Sequence, residues 1–171
     1  MISLYTGAGG MDYGFEAAGF ETRIALEFDR EAAATLRLNR PWPIIQADIC
    51  DTPSSQILSE AGLKVGEAAL LIGGPPCQPF SKAGYWSSGD SKRLADPRAR
   101  TLDEYMRVVR DALPEAFVLE NVHGISYTGK EEGMLLLRER LEQINAETEV
   151  TAVVGDPIGH SLSPAVHNAA Y

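Results

Sequence analysis

A lone cysteine follows a buried apolar run and lies in a rigid turn, an arrangement typical of a presented nucleophile. Residues 68–72 form the apolar run, and the sequence GGPPC at 73–77 follows it directly. The prolines restrict the backbone before the thiol, and the glycines allow a close approach to the main chain. Because a thiolate is a strong nucleophile, Cys77 is the candidate for covalent catalysis. The alternative is a buried structural thiol, and a structural role is the one we expect for Cys50.

Acidic residues and a glycine follow other apolar runs of the chain. Gly7 comes after the first run, and Glu27, Asp48 and Glu120 each come after a later one. The carboxyl ends of parallel strands meet at one edge of a sheet, and ligands bind there. We therefore expect these four residues and Cys77 to surround one site. The alternative for Glu120 is a surface carboxylate at a strand end.

The glycine turn GAGG at residues 7–10 favours a cofactor that approaches the main chain closely. The fingerprint for dinucleotides requires a third glycine that this chain lacks, which argues against a pyrophosphate. S-adenosylmethionine fits the pattern, with Glu27 binding the ribose and Asp48 accepting from the adenine amino group. Tyr5 and Phe28 would flank the adenine or, alternatively, belong to the hydrophobic core.

Strand and helix patterns alternate along the chain, as apolar runs give way to helical spacing of apolar residues. Predicted strands lie at residues 2–5, 22–28, 44–47, 68–72 and 116–119, and predicted helices at 11–18, 30–38, 54–61, 102–113 and 132–144. Asp29 and Thr101 are expected to cap the second and fourth helices. The fourth helix is predicted to have an apolar side formed by Leu102, Tyr105, Val108, Val109 and Ala112. This alternation predicts an α/β fold with a mostly parallel, doubly wound sheet.

Six motifs, in order and spacing, resemble those of the DNA cytosine methyltransferases that methylate carbon 5. They are LYTGAGG at 4–10, Glu27, Asp48, the cysteine loop GGPPCQPFS at 73–81, DPR at 96–98 and ENV at 120–122. The resemblance covers about residues 2–145. Tyr5 stands where that family more often has phenylalanine.

The resemblance implies a Rossmann-like, S-adenosylmethionine-dependent methyltransferase fold, here truncated. It implies that Cys77 attacks a cytosine flipped out of DNA and that Glu120 assists at a ring nitrogen. The residues that would contact the cofactor are Tyr5, Thr6, Gly7, Gly9, Gly10, Glu27, Phe28, Asp48, Ile49 and Pro75. Those that would contact the substrate are Gln78, Ser81, Arg98 and Asn121. No metal is expected.

The last part of the chain departs from that pattern. The family's Gln-x-Arg motif, target-recognition region and closing segment do not follow residue 145. Residues 151–168 (TAVVGDPIGHSLSPAVHN) instead resemble the amino terminus of shikimate dehydrogenase, in which the serines matching Ser161 and Ser163 hold the substrate carboxylate. We therefore expect an incomplete catalytic domain at residues 1–148 and, at 149–171, a fragment that is neither an independent domain nor a working dehydrogenase.

The composition limits what the chain does alone. Its 171 residues carry a net charge of −9, the wrong sign for a free-standing DNA binder. A short basic stretch at 92–100 is either a phosphate contact or an ordinary solvated loop. No apolar run approaches the roughly 20 residues of a membrane helix, and no leader pattern is present. We expect a cytoplasmic or nucleoid-associated protein of prokaryotic or phage origin.

These patterns predict a DNA cytosine-5 methyltransferase chain with negligible activity alone, because the later motifs are missing. Two alternatives remain open. The chain is a non-catalytic cofactor-binding subunit that a partner chain completes, or it belongs to a transferase that acts on tRNA with the same cysteine chemistry.

Overall fold

The computed structural model describes residues 1–76, 100–120 and 137–144. Two compact units divide the chain: unit 1 comprises Met1–Pro75 and Arg107–Glu120, and unit 2 comprises Pro76–Met106 and Asn121–Tyr171. All of the strands that the structure describes belong to unit 1.

The sheet has five parallel strands in the order β3-β2-β1-β4-β5. These strands are β1 (Ile2–Leu4), β2 (Ile24–Leu26), β3 (Ile44–Ile45), β4 (Leu71–Gly73) and β5 (Phe117–Leu119). In the register of the central strands, Leu4 pairs with Leu26 on one side and with Gly73 on the other. Because β1 lies in the middle, the turn that follows it emerges between the ends of β2 and β4. The sequence-based prediction of a parallel α/β sheet is confirmed.

The helices follow the strands as predicted, with shifts of one or two residues at their ends. They are α1 (Gly10–Ala17), α2 (Arg30–Asn39), α3 (Ser54–Ala61) and α4 (Arg100–Ala112), and residues 137–144 are also helical. Asp29 caps α2 as predicted, since its carboxylate accepts the backbone N–H groups of Glu31 and Ala32. The predicted cap at Thr101 is wrong, because α4 already includes Arg100. The Thr101 hydroxyl instead donates to the carbonyl of Pro76 at 3.3 Å.

The hydrophobic core of unit 1 lies on both faces of the sheet, as expected for parallel strands. On one face, a cluster joins Met1, Leu70 and Ile72 to apolar residues of α1, and a second cluster joins Ala25, Leu36 and Trp42; Ala25 and Ile72 both pair with Ser3, so these two clusters share that face. The alternating residues of the same strands are buried on the opposite face: Ile2, Leu4, Ile24, Leu26 and Leu71. Short strands of three residues suffice here because every residue of β1, β2 and β4 is buried. These buried strands hold the loops that follow their carboxyl ends, and those loops carry the candidate site.

Within unit 2, the described contacts include an ion pair between Arg140 and Asp103 at 2.7 Å. Leu102 and Met106, on the amino-terminal half of α4, are both nearly fully buried. The apolar side of α4 that the sequence predicts is thus confirmed, including the carboxyl-terminal positions Val108, Val109 and Ala112.

Candidate functional site

The turn after β1 contains two glycines in different surroundings: Gly9 is tightly packed, and Gly7 borders open space. Gly9 has φ +87°, and a Cβ placed on it would lie 3.0 Å from Leu36 and 3.2 Å from Trp42. Gly7 has φ +58°, and no atom lies within 4 Å of a Cβ placed there. Tyr5 also has a positive φ of 53°, which is uncommon for a residue with a side chain and clusters at functional sites. The turn therefore exposes its main chain at Gly7 while it packs firmly at Gly9.

Thr6, a predicted cofactor contact, is buried and bonded within the protein. Its hydroxyl lies 3.3 Å from the carbonyls of Ser3 and Leu26, and 3.0 Å from the Ser3 hydroxyl. The Thr6 side chain thus anchors the turn to β1 and β2. A contact with a cofactor would come from its main chain.

The Glu27 carboxylate joins the ends of two neighbouring strands. It is only 8% exposed, and its Oε2 accepts the backbone N–H of Gly7 at 2.6 Å. Its Oε1 accepts the backbone N–H of Asp29 at 2.7 Å. Each carboxylate oxygen can accept more than one hydrogen bond, so acceptor capacity remains beside Gly7. The carboxylate is held in one orientation, as a site for a diol would require.

Asp48 caps a single turn of 3-10 helix, Ile49–Asp51, at the next strand end. Its Oδ1 accepts the backbone N–H of Cys50 at 2.9 Å, and Ile49 is 2% exposed. Cys50 itself is exposed, so it is not a core thiol. This short segment, residues 48–52, is called the Asp48 turn below.

Phe28 lies on the surface beside the buried Glu27. It is 71% exposed, so the alternative that placed it in the hydrophobic core is wrong. An exposed aromatic ring is available for stacking on a planar ligand. Tyr5 is half-buried and lies two residues before Gly7 in the turn that follows β1.

Glu120 lies against the start of the cysteine loop. Its backbone N–H donates to the carbonyl of Gly73 at 2.9 Å. Its Oε2 would be only 2.9 Å from a Cβ placed on Gly74, so the glycine allows the carboxylate to lie over the main chain. Glu120 is exposed, and Pro75, the next residue along the loop, is buried. The sequence motif with two glycines thus accommodates the protein's own glutamate.

Gly10, another predicted cofactor contact, is exposed at the start of α1. The other predicted site residues lie outside the described residues. They are the nucleophile Cys77 and the predicted substrate contacts Gln78, Ser81, Arg98 and Asn121. The segment resembling shikimate dehydrogenase also lies there. For these positions the sequence-based expectations remain predictions.

One polar network beside the site was missed by the sequence reasoning. Arg107 of α4 donates to the carbonyls of Ile49 and Thr52 and to the Ser54 hydroxyl. An arginine on the polar side of an amphipathic helix is an ordinary feature, and its spacing from residue 49 carries no signal. Only the packing of α4 beside the Asp48 turn within unit 1 reveals the contact.

The site fits an adenosine-containing cofactor without phosphates. The open main chain at Gly7, the oriented Glu27 carboxylate and the exposed Phe28 ring supply an approach path, a diol acceptor and a stacking surface. Within the described ranges, no group of three or more histidine, cysteine or acidic residues is placed to hold a metal ion. None of the helices in the same ranges is long and apolar enough to span a membrane.

Comparison with known proteins gives one consistent answer. The family model described as C-5 cytosine-specific DNA methylase matches residues 1–152. The chain is 50% identical over 128 residues to the type II methyltransferase M.AquIA of Picosynechococcus, covering 73% of this chain and 49% of that protein. It is 43% identical over 140 residues to the type II methyltransferase M.SacI of Streptomyces achromogenes, covering 74% of this chain and 36% of that one.

Solved structures agree on the fold. A crystal structure described as a prophage-encoded DNA modification methyltransferase of E. coli superposes with a TM-score of 0.67 at 27% identity, covering 83% of this chain and 37% of that one. The S. pombe Dnmt2 methyltransferase, at 23% identity and a TM-score of 0.57, shares the fold. It covers 83% of this chain and 39% of that chain.

The chain spans half or less of the length of these relatives. The matches concern the part that carries the glycine turn, Glu27, Asp48, the cysteine loop and Glu120. The fold is therefore the Rossmann-like fold of the S-adenosylmethionine-dependent methyltransferases, and the family uses that cofactor. The chain belongs to the C-5 cytosine-specific DNA methylase family.

Proposed function

We propose that the chain carries the cofactor-binding and nucleophile part of a DNA cytosine-5 methyltransferase. The observation that carries the proposal is the Glu27 carboxylate, which bonds the Gly7 N–H at 2.6 Å beside an open main chain. Asp48 and Glu120 follow the strands at the same edge of the sheet. An oriented carboxylate, a glycine turn and an acid beside the cysteine loop are the parts that this chemistry needs.

The cofactor is held, in this proposal, at the ends of β1, β2 and β3. Glu27 accepts from the ribose hydroxyls, and Asp48 with Ile49 receives the adenine. Phe28 and Tyr5 flank the adenine ring, and the main chain of residues 6–10 lies along the amino-acid portion. Pro75 closes the site toward the cysteine loop. When bound, S-adenosylmethionine supplies an electrophilic methyl group.

The protein's own residues activate the cytosine. The Cys77 thiolate adds to carbon 6, which forms a sulfur–carbon bond and places negative charge on the ring. Glu120 donates a proton or hydrogen bond to the ring nitrogen and so relieves that charge. After carbon 5 is methylated, it loses its proton to solvent, and the sulfur–carbon bond breaks to release the Cys77 thiolate. The ring nitrogen returns its proton to Glu120, so the complete cycle restores both residues to their starting states.

The substrate in this proposal is DNA from which the cytosine is flipped out. The reacting atoms lie inside a stacked duplex, so the base must leave the helix. Gln78 and Ser81 act in the space that the base vacates, Asn121 contacts the flipped base, and Arg98 contacts a phosphate. These four assignments rest on the resemblance of their motifs.

The isolated chain is proposed to bind cofactor weakly and to methylate DNA negligibly. Its net charge of −9 opposes binding to phosphate, and it spans half or less of its relatives' length. The motifs that the relatives carry in the rest of their length would then be needed for turnover, whether in the same protein or in a second chain. Residues 149–171, which resemble the start of shikimate dehydrogenase, are proposed to be an appended fragment without dehydrogenase activity.

A duplex that contains 5-fluorocytosine tests the proposal. Because fluorine cannot leave as the carbon 5 proton does, rare catalytic events accumulate as a stable adduct. With S-adenosylmethionine present, we expect a slowly formed adduct that survives denaturation, in the parent chain and in the Cys50→Ser variant but not in Cys77→Ser. An adduct that persists in Cys77→Ser would refute the assignment of Cys77 as the nucleophile. No adduct from a chain that circular dichroism shows to be folded would refute catalytic competence of this part.

The same assay with tRNA that contains 5-fluorocytosine examines the second candidate substrate. That candidate arises because a transferase that acts on tRNA would use the same cysteine chemistry at carbon 6 of the base. We expect adducts on DNA to form faster. Faster capture of tRNA would reassign the substrate.

A further inference from the structure

Arg107 ties α4 to the Asp48 turn by a fork of hydrogen bonds. Its Nη2 donates to the carbonyls of Ile49 at 2.9 Å and Thr52 at 3.0 Å. Its Nη1 donates to the Ser54 hydroxyl at 2.6 Å. These acceptors are 53 to 58 residues away in sequence, so the contact is tertiary. One guanidinium thus contacts three places: Ile49 at the start of the 3-10 helix, Thr52 directly after that helix, and Ser54 at the start of α3.

A second interaction orients that fork. The Ser54 hydroxyl, which accepts from Arg107, donates to Asp111 Oδ2 at 2.7 Å. Asp111 lies one helical turn after Arg107 on α4, so both ends of the network belong to the same helix. Thr52 and Ser54 are 3% and 5% exposed. Because water has little access to their polar atoms, loss of the guanidinium would leave buried acceptors without a strong donor.

The Asp48 turn sets where Asp48 and Ile49 lie in the proposed cofactor site. The Ile49 carbonyl also accepts the Thr52 N–H at 3.2 Å, and the Asp48 carboxylate accepts the Cys50 N–H. These local hydrogen bonds close the turn, and the Ile49 side chain is buried at 2% exposure. The Arg107 fork adds directional hydrogen bonds from α4 to the main chain of the turn.

We propose that Arg107 is a positioning residue that fixes the Asp48 turn in the orientation that receives the adenine of the cofactor. The inference rests on the cofactor site proposed above, and it adds a residue that touches neither cofactor nor cytosine. The planar guanidinium has several donors in a fixed geometry, whereas a lysine ammonium is a point charge on a flexible stem. Lysine at this position therefore keeps the charge but not the fork.

The test compares Arg107→Lys with Arg110→Lys, a matched control on the same helix. Arg110 is exposed, and its guanidinium contacts Asp111 Oδ1, the oxygen that Ser54 does not use. The full chain and both variants are titrated with S-adenosylhomocysteine by calorimetry. Amide hydrogen exchange is measured by mass spectrometry on peptides that cover residues 46–54 and on peptides of β1 and β2.

We expect Arg107→Lys to weaken binding by about tenfold, the effect of losing one or two hydrogen bonds. Exchange should rise at residues 49–52 and stay unchanged in β1 and β2, while Arg110→Lys matches the parent in both measurements. A general loss of stability would instead raise exchange throughout the sheet, and that result would overturn a specific positioning role. Unchanged binding and unchanged exchange in Arg107→Lys would also overturn it.

The two proposals fail in different ways. If the folded parent chain does not bind S-adenosylhomocysteine at millimolar concentration, the proposed cofactor site of this chain is refuted. The exchange data then decide the role of Arg107 alone. Faster exchange confined to residues 49–52 supports positioning of the turn, and equal exchange refutes it.

Discussion

At the residue scale, three carboxylates that follow strands lie in three different environments. Glu27 is buried and bonds two backbone N–H groups, Asp48 is half-buried and caps a turn, and Glu120 is exposed against Gly74. Their roles divide accordingly. A fixed acceptor suits a ribose diol, a turn cap suits one hydrogen bond to an adenine, and an accessible acid suits proton donation to a substrate base.

A fourth carboxylate, Asp12 in the first turn of α1, has no place in the proposed chemistry. It is 1% exposed. Burial raises the pKa of Asp12 above its ordinary value of 3.8, and the Ser3 hydroxyl opposes that shift only in part. The charged form is therefore costly in the folded protein.

The sign of the pH dependence follows from this raised pKa. The folded protein holds the Asp12 proton more tightly than the unfolded chain does. Protonation of Asp12 therefore contributes its full share to the free energy of unfolding at acid pH, and this contribution is lost as the pH rises through the pKa of the folded protein. We expect Asp12→Asn to raise the free energy of unfolding at pH 7 by about 1 kcal/mol, with the gain shrinking toward pH 4. Urea unfolding across that range measures it, with the exposed Glu60→Gln as control. A gain that does not vary with pH would contradict the assignment.

At the element scale, the glycine turn depends on α2 and the segment after it. Trp42 donates from its indole N–H to Glu16 at 2.7 Å, and its ring packs near Tyr13 of α1. The Arg40 guanidinium lies 4.1 Å from the centroid of the Tyr13 ring. Trp42, held by these contacts, packs against the glycine turn and leaves no room for a side chain at Gly9.

Two neighbouring glycines of the turn should respond differently to alanine. Gly9→Ala forces a residue with a side chain into φ +87° and against Leu36 and Trp42. We expect it to lower the free energy of unfolding by about 1–3 kcal/mol. Gly10→Ala has open space and no positive φ, so we expect a change within about 0.5 kcal/mol. Urea midpoints followed by circular dichroism compare the two, and equal losses would show that packing at Gly9 is not the cause.

The helices show where local patterns suffice. Periodicity alone predicted the buried side of α4, and the Asp29 cap was predicted from its position before an apolar-periodic segment. The Thr101 cap was wrong because a threonine before an apolar run also occurs inside the first turn of a helix, and α4 already includes Arg100, two residues before the predicted start. Strand ends were predicted too generously, since apolar residues continue beyond the hydrogen-bonded ladder.

At the scale of the whole molecule, charge and length restrict what the chain does by itself. The net charge of −9 arises from 24 acidic and 15 basic residues, counted without histidine. Neutralisation of phosphates supplies most of the affinity of non-specific DNA binding. The chain lacks that source of affinity except in the basic stretch at residues 92–100.

We expect binding to a 20-base-pair duplex to be weaker than a dissociation constant of about 10⁻⁴ M at physiological salt, at the weak end of non-specific binding. Fluorescence anisotropy at low and physiological salt measures it. Residual binding at low salt should fall when Arg93 and Arg98 are both changed to glutamine. Submicromolar binding at physiological salt would show that this part of the protein holds DNA without the rest.

Local patterns in the sequence were enough to predict the motifs, their order and the family that they resemble. Glycine turns, acids after apolar runs and a cysteine between prolines are local features, and local steric and periodic rules suffice to identify them. The sequence also predicted that the sheet is parallel, because strands that alternate with helices can return only in that direction. The cofactor and the nucleophile were predicted on that basis.

Which strand ends become neighbours depends on the folding of the whole sheet. The order β3-β2-β1-β4-β5 places Gly7 beside Glu27, 20 residues away, and Gly73 beside Glu120. Tertiary packing also determines that Trp42 fills the space under Gly9 and that Arg107 holds the Asp48 turn. Such contacts depend on how distant segments pack and pair their buried polar groups. No periodicity within one segment encodes that pairing, because the partners meet only when the sheet has formed.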